Sequence, residues 1–228
     1  RHLVSRKICF VTGTRAEYGL LRPVMNLLKT DSEVVFQLVV TGSHLSERHG
    51  ETVNEIEGDG FTPDAKLAVD LSNDSRVAVA VVMANTAAQI AETFSRLAPD
   101  LIVVLGDRYE ILATAQAALI LGIPVAHIHG GEVTTGAFDD SIRHAITKMS
   151  NLHFVAADEY ARRVIQLGEQ PNTVFNVGSL GVEIALSEQL LTQQELNAKL
   201  NLELKNPILL ITHHPTTNSV TSTTSEIA

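Results

Sequence analysis

Short apolar runs alternate along the chain with longer stretches of helical spacing. Lys7–Thr12 (KICFVT) is a β-branched run that predicts a strand ending in a glycine turn. Behind it, Leu20, Leu21, Val24, Leu27 and Leu28 recur at helical spacing and predict a helix, with Pro23 in its first turns, where the missing N–H costs little. Val34–Gly42 (VVFQLVVTG) predicts a second strand, ETVNEIEGDG a short helix closed by glycine, and AKLAVDL a third strand. Arg76–Leu97 predicts a long alanine-rich helix ending before Pro99. Asp100–Asp107 (DLIVVLGD) predicts a buried strand, and EILATAQAALILG a helix stopped at Gly122. PVAHIHGG predicts the next strand, with His127 and His129 on one face. DDSIRHAITKMS opens with acids suited to a helix N-terminus, and LHFVAA, TVFNVG and PILLIT predict three more short strands.

Strands apolar on both faces and separated by helices imply a parallel sheet covered on both sides, a doubly wound Rossmann-like α/β domain. Ligands of such sheets bind beyond the carboxyl ends of the strands. The motifs VTGTRAE, VTGSH, LGDRYE, HIHGGE, NVGS and THHP all fall at those ends.

Composition narrows the functional classes. The 228 residues are 45% hydrophobic and 19% charged, enough apolar material for a sizeable core. A net charge of −9 speaks against nucleic acid or anionic lipid as a partner, and 4% aromatics with no Trp speak against base-stacking platforms. The apolar run Val77–Ala84 is far short of the roughly 20 residues that span a bilayer. The lone Cys9 permits no internal disulfide and fits a reducing compartment, so the expected location is the cytoplasm. Residues 1–6 are expected to be a tag remnant or a frayed terminus. Eight of the ten residues Thr216–Ser225 are Ser or Thr. They form either a tail or part of a second domain opening near 206.

The motifs each allow a plain structural reading beside a chemical one. GTRAEYG lacks both the GxGxxG and the GK[ST] patterns, leaving a glycine turn with either a solvated Arg15 or a phosphate-binding one. LGDRYE places Asp107 and Arg108 at a strand end, as helix cap and surface cation or as a pair facing substrate. In HIHGGE, the histidines are core residues, metal ligands with Glu132, Asp107 or Asp139, or companions of an acid/base Glu132. Asp139 and Asp140 are helix-capping acids or site carboxylates, and His214 in THHP is placed for phosphate or proton transfer.

Together VTGTRAEYGLL, LGDRYEILA, HIHGGEVTTGAFDDSIRHAITKMSNLHF, NVGSLG and THHP resemble the hydrolysing UDP-N-acetylglucosamine 2-epimerases of the bacterial sialic-acid pathway and the animal bifunctional enzyme. The resemblance runs from Lys7 to about Pro215. It implies the first half of a two-domain enzyme of the GT-B type, with residues 7–205 as the N-terminal domain and 206–228 as the start of a truncated second one. The implied reaction converts UDP-N-acetylglucosamine and water to N-acetylmannosamine and UDP through a 2-acetamidoglucal. It implies neither nicotinamide nor metal, a nucleotide-sugar as partner, and a dimer or tetramer. By the same resemblance Arg15, Arg108 and His214 meet the nucleotide phosphates. Asp107, Glu132 and one of Asp139 and Asp140 are acid/base carboxylates. His129 stands where non-hydrolysing relatives and the animal enzyme have glutamate, so the base is either His129 in part or Glu132.

Three other functions stay open. One is a hydrolysing 2-epimerase of UDP-2,4-diacetamido-2,4,6-trideoxyglucose. The others are a non-catalytic nucleotide-sugar binding module and a metal-dependent phosphoesterase built on Asp107, His127, His129 and Glu132.

Overall fold

A computed structural model describes residues 5–134, 138–187 and 190–212. Its strands are β1 (Arg6–Thr12), β2 (Val34–Thr41), β3 (Ala65–Leu67), β4 (Leu101–Leu105), β5 (Val125–Ile128), β6 (Leu152–Val155) and β7 (Val174–Asn176). Its α-helices are α1 (Arg15–Lys29), α2 (Val53–Gly58), α3 (Arg76–Leu97), α4 (Tyr109–Leu121), α5 (Asp139–Met149), α6 (Asp158–Gln166), α7 (Leu180–Ser187) and α8 (Gln193–Leu200).

The seven strands form one sheet in the order β3-β2-β1-β4-β5-β6-β7, every pair parallel. The doubly wound α/β fold expected from the sequence is therefore present. Winding reverses between β1 and β4, so the turns after these two strands part and leave a crevice at their carboxyl ends.

Two apolar clusters hold the layers. One packs Cys9, Val11, Ile102 and Val104 against Ile90 and Phe94 of α3 and Ile111 and Ala115 of α4. The other packs Phe10, Leu38 and Val103 against Tyr18, Leu21 and Met25 of α1, with Phe61 beside them. Successive residues of β1 thus serve opposite faces, as a strand's two-residue period requires. Burial pushes the Cys9 thiol far above its ordinary range, which makes it a core side chain and not a nucleophile.

Helix ends follow local chemistry. Thr14 and Glu17 form a capping box at the start of α1, and Gly122, at φ 68°, closes α4 in a left-handed conformation. α3 is long and apolar enough to cross a membrane by length and composition. Here it lies along the sheet with Val82, Thr86, Ile90 and Phe94 buried.

Three local expectations need correction. Pro23 sits well inside α1 and not in its first turns. Having no N–H, it leaves the carbonyl of residue 19 without its helical donor. The strand expected over 207–212 is absent: these residues carry no regular structure, and Leu209, Leu210 and Ile211 are exposed, because no neighbouring strand offers hydrogen bonds. His129 does not share a strand face with His127, since β5 ends at Ile128 and His129 turns to φ 65°.

Candidate active site

The crevice is built from three strand ends. After β1, Gly13 opens the turn into α1. Glu17 Oε2 accepts from the N–H of Gly13 at 2.7 Å and of Thr14 at 3.3 Å. After β4, Gly106 leads to Asp107 and Arg108. The Arg108 Nε and Nη2 both donate to the fully buried Glu110 carboxylate at 3.2 Å. His44, just past β2, is buried beside this group and shares hydrogen bonds with Thr12 and Thr52. Burial lowers it to about 4, so it is neutral near pH 7.

After β5 the HIHGGE segment turns sharply. His127 is buried, with Nε2 against the Gly106 carbonyl at 2.7 Å and Nδ1 against Thr147 Oγ1 at 3.2 Å. Both ring nitrogens are engaged, so His127 has no lone pair left for a metal. Among the described residues no three His, Cys, Asp or Glu side chains converge on a common point. A Cβ on Gly131, at φ 80°, would stand 2.5 Å from the Tyr160 carbonyl oxygen, and Arg163 of α6 donates to the Gly131 carbonyl. The turn is pinned from both sides. Gly131→Ala is expected to destabilise the protein by about 2 kcal/mol or more through left-handed strain and the clash. Thermal unfolding checks this, and an unchanged melting temperature contradicts it.

The pinned turn presents Glu132, whose Oε1 lies 3.1 Å from His129 Nδ1. That hydrogen bond holds the Glu132 carboxyl below its ordinary range despite partial burial. Asp107 is shifted the other way. Burial raises it, and the neighbouring Arg143 guanidinium, which donates to Asp107 Oδ2, offsets part of that rise. The charges of Asp139 and Glu132 add to the upward push. Two carboxyls in one crevice whose environments drive them apart are the arrangement that supplies an acid and a base together. Arg143 Nε and Nη1, His129 Nε2 and His144 Nδ1 are buried and without hydrogen-bond partners among the described residues.

Asp107 thus feels the charges of Arg143, Asp139, Glu132 and Arg108, and His129 is bonded to Glu132. Asp140 accepts from the Thr134 N–H at 3.0 Å and lies 3.6 Å from His144. Arg15 is at the rim, 72% exposed and 2.9 Å from Glu55 on α2. His214 lies outside the described residues. The motif reading passed over Glu17, Glu110 and the contact of Arg143 with Asp107. The T-x-x-E spacing of Thr14 and Glu17 is the one of these with a sequence signal.

Comparison with known proteins assigns a lineage. The model of the family described as UDP-N-acetylglucosamine 2-epimerase matches residues 26–228. The chain belongs to that family. It is 42% identical over 223 residues to the GDP/UDP-N,N'-diacetylbacillosamine 2-epimerase (hydrolyzing) of Campylobacter jejuni, covering 98% of this chain and 58% of that protein. It is 42% identical over 222 residues to the polysialic acid biosynthesis protein P7 of Escherichia coli, with 97% and 56% covered. To the UDP-N,N'-diacetylbacillosamine 2-epimerase (hydrolyzing) of Legionella pneumophila it is 39% identical over 217 residues, with 95% and 57% covered. The chain therefore spans little more than half the length of these curated relatives. The fold matches that of the Methanocaldococcus jannaschii UDP-GlcNAc 2-epimerase, solved with UDP-GlcNAc and UDP, with a TM-score of 0.70 at 20% identity, covering 85% of this chain and 53% of that one.

Proposed function

We propose that residues 7–205 are the first domain of a two-domain hydrolysing 2-epimerase, with residues 206–228 opening the second. Its substrate is UDP-N,N'-diacetylbacillosamine, which is UDP-2,4-diacetamido-2,4,6-trideoxyglucose. The observation that carries the chemistry is the opposed pair Asp107 and Glu132 in one strand-end crevice beside the Arg108 cation. Support for the substrate comes from two of the three relatives above, whose names carry this sugar.

Glu132, kept ionised by His129, takes the proton from carbon 2 of the sugar. The C2–H electron pair forms the C1=C2 bond, and the C1–O bond breaks with its electrons leaving on the β-phosphate of UDP. Arg108, with Arg15 at the rim and His214, compensates that developing charge. Water then adds its hydroxyl to carbon 1, releasing its other proton to solvent, and a proton reaches carbon 2 from the opposite face. Inversion needs a donor distinct from the base, and Asp107, biased toward its protonated form by burial, fills that role. The products are UDP and 2,4-diacetamido-2,4,6-trideoxymannose.

A second reading has a specific observation behind it. The similarity to a polysialic acid biosynthesis protein favours UDP-N-acetylglucosamine as substrate and N-acetylmannosamine as product. Assay of the complete enzyme with UDP-N,N'-diacetylbacillosamine, its GDP analogue and UDP-N-acetylglucosamine, with products followed by NMR, separates the two. The expected result is at least about a tenfold higher kcat/KM for the UDP-bacillosamine sugar. A preference for UDP-N-acetylglucosamine overturns the substrate assignment, and no UDP release from any of them overturns the function.

A further inference from the structure

On the β1 side of the crevice two carboxyl groups flank one cation. A Cβ on Gly13 would lie 3.6 Å from both Glu17 Oε2 and the Glu110 Cβ, and one on Gly42 would lie 2.6 Å from the Gly13 carbonyl oxygen and 3.0 Å from Glu110 Oε1. The two acids are thus packed close to the Gly13 backbone, and at Gly42, where φ is 60°, only glycine fits against it. Glu110 binds the Nε and Nη2 edge of Arg108, and the guanidinium carbon lies 5.2 Å from the centre of the Tyr109 ring. The Arg108 side chain stays 38% exposed, so one edge of the fork is anchored on Glu110 while the group keeps access to solvent.

Glu17 is asymmetric. Both backbone donors go to Oε2, while the buried Oε1 has no hydrogen-bond partner among the described residues. An ionised carboxyl would bury charge at Oε1 with no donor to meet it, which costs more than the unpaired O–H that a neutral one places there.

We propose that Glu110 is a positioning residue, which aims Arg108 at the diphosphate of the nucleotide sugar. In the same proposal Glu17 is a proton-holding companion whose neutrality leaves Arg108 with a single compensating negative charge. This rests on the proposed function, which places a diphosphate at Arg108. Burial pushes the Glu17 carboxyl up to about 8, opposed by the Gly13 N–H and supported by the Glu110 charge. Ionisation of Glu17 as pH rises through that value adds a second negative charge beside the cation and weakens anion binding. The other charged or titratable groups facing this compartment are Arg108, Tyr109 and Glu110 from α4, His44 after β2, Glu55 from α2 and Arg15 from α1. The neutral His44 stays uncharged across the range concerned.

The test measures UDP affinity and kinetics of the complete enzyme, with UDP as the probe, from pH 7 to 9. Glu110→Gln is expected to raise KM and the UDP Kd about tenfold or more while lowering kcat less, the pattern of lost binding. Glu110→Asp is expected to recover part of the loss. Glu17→Gln keeps the acceptor for Gly13 and Thr14, so its UDP affinity at pH 7 is expected within about threefold of wild type, about the spread of non-additive single-site effects. Wild-type affinity should fall above pH 8 more steeply than that of Glu17→Gln, and the comparison cancels the titration of UDP itself. Parallel pH profiles overturn the proposal, as does a Glu17→Gln variant as impaired at pH 7 as Glu110→Gln. If Glu110→Gln does not fold, the pH comparison between wild type and Glu17→Gln decides alone. Wild type that neither binds UDP nor releases it overturns the proposed function and this inference together. Wild type that binds UDP with a profile matching Glu17→Gln overturns only the inference.

Discussion

In the complete enzyme, Asp107→Asn or Glu132→Gln is expected to lower turnover by at least about a hundredfold, the usual contribution of a positioned proton donor or acceptor. Substrate affinity changes much less, because neither group is assigned to the nucleotide. Both substitutions preserve shape and remove only the ability to carry a proton. They act at different limbs of the pH–rate profile. Glu132, held low by His129, governs the acid limb through its loss of charge. Asp107, raised by burial, is expected to govern the basic limb through loss of its proton. Steady-state kinetics across pH checks this, and near-wild-type turnover in both variants removes the pair from the mechanism.

Arg143→Met is expected to have the second large effect. Arg143 is 7% exposed and donates to Asp107 from within α5, so its loss strands a partly buried carboxyl. Breaking a buried pair by removing one partner costs about 3–5 kcal/mol, with the lower part of that range expected here because the Asp107 side chain is 22% exposed. The sign with pH follows from the direction of the Asp107 shift. Its folded-state affinity for the proton is already raised, and removing the cation raises it further. The variant is therefore least destabilised at acid pH, where Asp107 is protonated in both states, and loses stability as pH rises through the folded-state value. Denaturant unfolding at several pH values measures this. A destabilisation that shrinks with rising pH contradicts it.

The features legible in the sequence are those that depend on one segment at a time. The apolar run of β4 and the glycine after it mark a strand end, and that suffices to put Asp107 and Arg108 at the ligand-binding edge. HIHGGE likewise announces a turn with a carboxylate on it. What the sequence hides depends on how far a strand continues and on which segments meet. Two-residue alternation holds only while the backbone stays extended, and β5 stops one residue before His129, so the expected pairing with His127 fails. The partnership of Arg143 with Asp107 joins residues 36 apart through the packing of α5 against α4 and β5. Glu17 reads locally as a helix cap, and its second role arises only because β1 and β4 are neighbours across the winding reversal. PILLIT shows the converse: a strand-like composition makes no strand where no partner edge is present.

The most direct test of a 2-epimerase that works by proton abstraction is where hydrogen comes from. The complete enzyme is incubated with UDP-N,N'-diacetylbacillosamine in deuterated water, and the released sugar is examined by NMR and mass spectrometry. The expected product carries one deuterium at carbon 2 and forms at the same rate as UDP. A sugar released with its original hydrogen still at carbon 2 contradicts deprotonation and reprotonation there, and with it the assigned roles of Glu132 and Asp107.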